Sequence, residues 1–115
     1  MKTTDRILKY VRTEPLELFE QHMQTNTNVV FFTTEEIGLY AGQSIPKSLA
    51  ARWLIKEILI EHFGEVLSHQ QISITSSETG KPVLHLSQPD ITNPIHISIS
   101  HSKNYISAMV IIELQ

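Results

Sequence analysis

A chain of 115 residues, 41% hydrophobic and 18% charged, is long enough for one self-sufficient core and reads as a single domain over residues 1–115. It has no cysteine, which excludes disulfides, thiolate metal sites and thiol nucleophiles, and its net charge of −3 argues against a nucleic-acid binder. No apolar run follows Met1-Lys2-Thr3-Thr4-Asp5-Arg6, and none approaches the roughly 18 residues of a membrane span, so the expectation is a soluble, cytoplasmic protein with no signal peptide and no membrane partner.

Residues 1–28 read as a helical N-terminal segment. Ile7, Leu8 and Val11 sit at helix-like spacing between Asp5 and Val11, as do Leu16, Phe19 and Met23 in the next stretch, where Pro15 stands at the start. Thr25-Asn26-Thr27-Asn28 is a polar break, and Val29-Val30-Phe31-Phe32 has strand composition. Thr33-Thr34-Glu35-Glu36 fits a capping box, which predicts a short helix ending near Gly42. Ser44-Ile45-Pro46 opens the main helix, which runs to about Phe63 with Gly64 as its stop.

The apolar set of that helix (Leu49, Trp53, Leu54, Ile55, Ile58, Leu59, Ile60, Phe63) is too wide for a surface helix and predicts burial against a sheet or another subunit. Its remaining arc stacks Ser48, Arg52 and Lys56, with Glu57 and Glu61 beside them. The C-terminal half alternates as strands over 71–75, 82–86 and 95–100, and a last strand spans 106–113. In the third, Ile95, Ile97 and Ile99 face one way while His96, Ser98 and Ser100 face the other. Short connections favour antiparallel pairing. The expected fold class is therefore α+β, an antiparallel sheet packed on one long, largely buried helix.

Three places offer chemistry. Glu57 is either a Mg²⁺ ligand, since that ion takes hard oxygen donors, or a solvated helix glutamate paired with a neighbouring cation. Ser100-His101-Ser102 ends a strand, where imidazole and hydroxyls could reach a pyrophosphate or pass a proton, or where the histidine is simply structural. Thr79-Gly80-Lys81-Pro82 is a tight turn whose lysine is solvated unless a ligand recruits it. His22, His62, His69, His85 and His96 have no zinc-site spacing, and no Walker, dinucleotide or GxSxG pattern is present. A carboxylate together with cations and hydroxyls suggests a nucleotide-like, phosphate-rich ligand.

Taken together these segments resemble the phosphopantetheinyl transferase superfamily, in its short holo-acyl-carrier-protein-synthase type. Ala51-Arg52-Trp53-Leu54-Ile55-Lys56-Glu57-Ile58 is similar to the W/F-x-x-K-E-A motif of the family's central helix. Gly80-Lys81-Pro82 resembles its G-K-P turn, residues 97–108 (ISISHSKNYISA) resemble its S-x-S-H-S/T-x-x-Y-A-x-A strand, and Phe32-Thr33-Thr34-Glu35-Glu36 its L-T-x-x-E helix start.

The resemblance, spanning about Phe32 to Glu113, implies transfer of 4'-phosphopantetheine from coenzyme A to a serine of an acyl or peptidyl carrier protein. Glu57 would be a Mg²⁺ ligand, Lys56 and Arg52 would line the phosphates, and Gly80, Lys81, Pro82, Ser100 and His101 would contact coenzyme A. Glu57, Lys56 and His101 are the implied catalytic residues. It also implies a homotrimer with each site between two subunits.

Two departures stand against the pattern. The family's opening G-x-D-I/V strand, whose aspartate also ligates Mg²⁺, has no counterpart before Phe32; Asp5 and Glu61 are the candidate substitutes. The family's lysine one turn after the motif glutamate is Glu61 here. A second reading follows: a catalytically degenerate homologue acting as a carrier-protein-binding or assembly subunit.

Overall fold

The computed structural model describes residues 6–25, 31–39 and 46–114. Strand β1 (Arg6–Pro15) leads into helix α1 (Leu16–Thr25). Helix α2 (Thr34–Leu39) and the long helix α3 (Pro46–Phe63) follow. Strands β2 (Ile72–Ser76), β3 (Pro82–Leu86), β4 (Ile95–His101) and β5 (Tyr105–Leu114) complete the chain. Asp5, Val29 and Val30, the break at residues 26–28, the expected stop near Gly42, and Ser44-Ile45 lie outside the described residues.

The predicted helix over residues 5–11 is corrected: from Arg6 on this segment is strand, and it pairs antiparallel with β5 from Arg6 opposite Leu114 to Pro15 opposite Tyr105. Leu8, Tyr10, Arg12 and Glu14 turn inward, while Ile7, Lys9, Val11 and Thr13 turn outward. Apolar residues on both faces and charges on the inner one hide the period of two, leaving Ile7, Leu8 and Val11 to mimic a helix. Pairing with β5 decides the matter, a tertiary override of local pattern. Phe31 and Phe32, read as the end of a strand, are not in one.

The strands form two sheets rather than one: three antiparallel strands in the order β1-β5-β4, and the hairpin β2-β3. Helix α3 carries the core between them. Ala50, Trp53, Leu54, Ile55, Ile58 and Leu59 are buried with Ile106, Ala108, Val110 and Ile112 of β5 and Ile72 and Ile74 of β2. The expected α+β class and buried central helix are both observed. Gly64 takes φ +78° directly after α3, a conformation that residues with a Cβ adopt at a cost, so the helix stops where expected. In β4 the isoleucines face the core and His96, Ser98 and Ser100 face out, as the alternation predicts.

Candidate active site

The capping box forms as predicted. Thr33 Oγ1 accepts from the Glu36 amide at 3.2 Å, and Glu36 Oε1 accepts from the Thr33 amide at 2.9 Å. Glu36 then does far more than cap, because it is completely buried. Its Oε2 accepts from the Ile74 amide of β2 at 2.8 Å, and its Oε1 lies 2.5 Å from Lys56 Nζ. Lys56 also donates to the carbonyls of Phe31 at 2.8 Å and His69 at 3.1 Å. Burial drives the Lys56 pKa below its ordinary 10.5, with Glu36 pulling the other way.

Lys56 and Arg52 were expected to line phosphates, and the structure gives both a different place. Neither side chain reaches solvent to any extent that a ligand could use. Arg52 Nε donates to the Ile74 carbonyl at 2.9 Å, Nη1 to the Ser48 carbonyl at 3.1 Å, and Nη2 to Ser76 Oγ at 2.9 Å. The reason is geometric: the arc of α3 that looked solvated on a helical projection is covered by β2 and by the chain around Phe31 and Phe32. These two cations lie beneath the outward face of α3, buried and hydrogen-bonded within the chain rather than exposed.

Glu57, the next residue, turns outward with its side chain 30% exposed. His69 Nε2 lies 2.6 Å from Glu57 Oε2, and the His69 ring meets Phe31 edge-on at 5.0 Å, so the carboxylate is held in one orientation. One turn on, Glu61 is 63% exposed and accepts from Arg12 Nη2 of β1 at 2.6 Å. Arg12 Nε is also 3.7 Å from Glu14 Oε2, while Glu14 Oε1 is buried without a hydrogen-bond partner among the described residues.

The remaining predicted residues sit on strand ends. Gly80, at φ +87°, closes the β2-β3 turn by donating its amide to the Ser77 carbonyl at 2.9 Å; Ser77 in turn donates its amide to the Lys81 carbonyl at 2.8 Å. Pro82 starts β3, and the Lys81 side chain stands exposed on this rigid turn. Ser100 and His101 end β4, exposed, and help wall a cavity of about 220 Å³ with Thr13, Ser102, Tyr105 and Ser107. Glu57 is not in that wall.

Among the described residues no three histidine, aspartate or glutamate side chains converge as a ready metal cage. Mg²⁺ does not need one, because it is commonly held by one or two carboxylates with water and substrate phosphates completing its shell. The partly exposed, oriented Glu57 carboxylate meets that requirement. Of the candidate second ligands, Asp5 lies outside the described residues, and Glu61 is paired with Arg12 through Oε1 as Glu57 is with His69 through Oε2.

Sequence reasoning passed over Arg12, Glu14 and His69. Arg12 and Glu14 fall between the two helix-like stretches, 5–11 and 16–23, and two charged residues at every-other spacing before Pro15 are the available signal. His69 was noted only for lacking zinc-site spacing, and nothing in its neighbourhood marks it as a partner for Glu57.

A synthase structure from Bacillus anthracis, a holo-(acyl-carrier-protein) synthase in complex with CoA (3',5'-ADP), superposes with a TM-score of 0.78 at 24% identity, covering 93% of this chain and 96% of that one. The fold is thus that of an acyl-carrier-protein synthase. No protein-family model matches the chain. The holo-[acyl-carrier-protein] synthase of Bacillus velezensis is 32% identical over 99 residues, which cover 83% of this chain and 77% of that protein. That of Geobacillus sp. (strain WCH70) is 35% identical over 107 residues, covering 85% and 88%. The chain belongs to the holo-[acyl-carrier-protein] synthase family, the short type of phosphopantetheinyl transferase.

Proposed function

We propose that the chain, acting as one domain, transfers 4'-phosphopantetheine from coenzyme A to a serine of an acyl or peptidyl carrier protein with Mg²⁺ present. The observation that carries this reading is Glu57, the outward carboxylate of the Lys56-Glu57 pair, oriented by His69 while Lys56 is locked inside. In the reaction the serine Oγ bonds to the β-phosphorus of coenzyme A as the bond from that phosphorus to the bridging oxygen breaks. The bridging oxygen leaves with 3',5'-ADP, and the serine proton is lost to solvent.

Mg²⁺, when bound, would neutralise charge on the pyrophosphate, and Glu57 would be the residue that holds it. Lys81 offers an exposed cation from the hydrogen-bonded turn that contains Gly80 and precedes Pro82, and Ser100 and His101 offer donors at the end of β4. Arg52 and Lys56 keep α3 seated so that Glu57 does not drift. Positioning and charge neutralisation supply most of the rate in such transfers. Coenzyme A and a soluble carrier protein as substrates fit a cytoplasmic enzyme.

The site is read as intersubunit, in a homotrimer. Support comes from the separation of Glu57 from the His101 cavity, and from a sheet face that no described element covers, where Ile7 is 57% and Val11 62% exposed. A second reading, a carrier-binding subunit without catalysis, is favoured by Glu61, which puts a carboxylate where the family carries a lysine.

The test incubates the purified protein with apo carrier protein, coenzyme A and Mg²⁺ and weighs the carrier by mass spectrometry, with Glu57→Ala alongside. The enzyme reading expects the carrier to gain one phosphopantetheine with wild type and none with the variant. A carrier that binds but never gains mass supports the second reading.

A further inference from the structure

Glu57 is held by His69, and His69 is mounted on a fixed stretch of backbone. It opens one turn of 3-10 helix (His69–Gln71) beyond α3. That turn is tied down at successive residues. The Ser68 amide donates to Gln71 Oε1 at 2.9 Å, the His69 carbonyl accepts from Lys56 Nζ at 3.1 Å, and Gln70 Nε2 donates to the Phe32 carbonyl at 2.7 Å. Lys56 Nζ also donates to the Phe31 carbonyl at 2.8 Å. The buried lysine thus grips the backbone of both residues whose rings meet edge-on at 5.0 Å, and one of those rings carries the contact to Glu57.

Stability does not explain that contact. The His69 and Glu57 side chains are 23% and 30% exposed, and partly exposed pairs contribute little to folding. Its effect is on freedom of movement. A glutamate on a helix surface turns about several bonds, and fixing it costs side-chain entropy. An ionised carboxylate can only accept, so His69 Nε2 donates to Oε2, at 2.6 Å, and leaves Oε1 unengaged among the described residues. A partner that orients a ligating group in this way raises metal affinity, because the ordering precedes the ion.

We infer that His69 is a positioning residue for metal binding: it holds Glu57 by Oε2 so that Oε1 is presented to Mg²⁺, and Lys56 acts on the same carboxylate through the His69 backbone. This rests on the reading of Glu57 as the Mg²⁺ ligand. It adds to that reading the residue that makes the ligand effective, and a role for the buried lysine that requires no contact with substrate.

The experiment is calorimetric titration of Mg²⁺ into the protein saturated with coenzyme A, for wild type, His69→Phe, His69→Gln and Glu57→Ala. Affinity for coenzyme A in the presence of a chelator and a thermal midpoint are measured for each. His69→Phe keeps a ring against Phe31 and a carbonyl for Lys56 but has no donor, so Mg²⁺ binding should weaken about 10- to 100-fold. Metal-free coenzyme A affinity and the midpoint should stay close to wild type. His69→Gln returns an N–H donor at similar reach and should recover most of the loss. Unchanged or tighter Mg²⁺ binding by His69→Phe overturns the inference and leaves Glu57 as the ligand. A loss that His69→Gln does not repair, or one matched by a lowered midpoint and weaker metal-free binding, makes His69 structural only and also overturns it. Glu57→Ala that binds Mg²⁺ as wild type does, or a wild type that binds no coenzyme A, overturns both the inference and the reading beneath it.

Discussion

Lys56 and Glu36 form an ion pair whose two side chains are entirely shielded from water, 2.5 Å apart, at the junction of α2, α3 and β2. Taking two charges out of water is expensive, and the pair persists because every strong donor and acceptor is used: two carbonyls on the lysine, and two backbone amides on the glutamate. Lys56→Met should therefore destabilise the protein by about 3–5 kcal/mol, since it strands a buried carboxylate. Lys56→Met/Glu36→Gln should be less destabilised than that single variant. Urea unfolding of the two gives the comparison, and equal losses would mean that the pair is not coupled.

The same pair sets a dependence on pH. Burial lowers the Lys56 pKa in the folded protein below 10.5, so in the interval between its folded and unfolded values the unfolded chain binds more protons. Stability from this residue therefore rises as pH climbs towards 10.5 and falls again as pH drops through the folded value. The stability of wild type minus that of Lys56→Met should increase over that window. A flat difference would show that Glu36 fully offsets the burial.

Val11 tests the proposed trimer. It lies outward on β1, opposite Met109, on the sheet face that no described element covers. Val11→Glu should move the protein from trimer to monomer in light scattering while barely changing the fold seen by circular dichroism, because no core contact is lost. A wild type already monomeric at micromolar concentration would refute the intersubunit site.

Trp53 makes a quieter case. Its ring is buried against Phe19 at 5.8 Å and His22 at 4.9 Å, yet Nε1 has no hydrogen-bond partner among the described residues. Trp53→Phe removes an unsatisfied donor while retaining much of the packing, so the loss should stay within about 1 kcal/mol, against about 3–5 kcal/mol for Trp53→Ala. Equal losses for the two would mean that the indole nitrogen finds a partner in solution.

Much of the architecture is legible in the chain where one signal dominates. Pro46 and Gly64 bracket α3, Thr33 and Glu36 mark the start of α2, and the isoleucines of 95–99 fix which side of β4 meets the core. β1 was illegible because its partner, β5, is a hundred residues away and its own apolar residues fall on both faces. At the site, residue types were readable but directions were not. A helical wheel cannot say that β2 will cover the arc holding Arg52 and Lys56 and leave Glu57 outside, and the partnership of Glu57 with His69 depends on the turns after α3.

The pairing of β1 with β5 also bears on how the molecule is made. Arg6 finds its neighbour only in Leu114, and β5 is the middle strand of its sheet. During synthesis β1 therefore has no template until residues 105–114 have left the ribosome, while α3 and the β2-β3 hairpin can close locally before them. Closing so long a loop is slow and leaves Leu8 and Tyr10 without cover meanwhile. Nascent chains stalled before residue 105 should engage chaperones that bind exposed apolar segments and release them once residues 105–114 emerge.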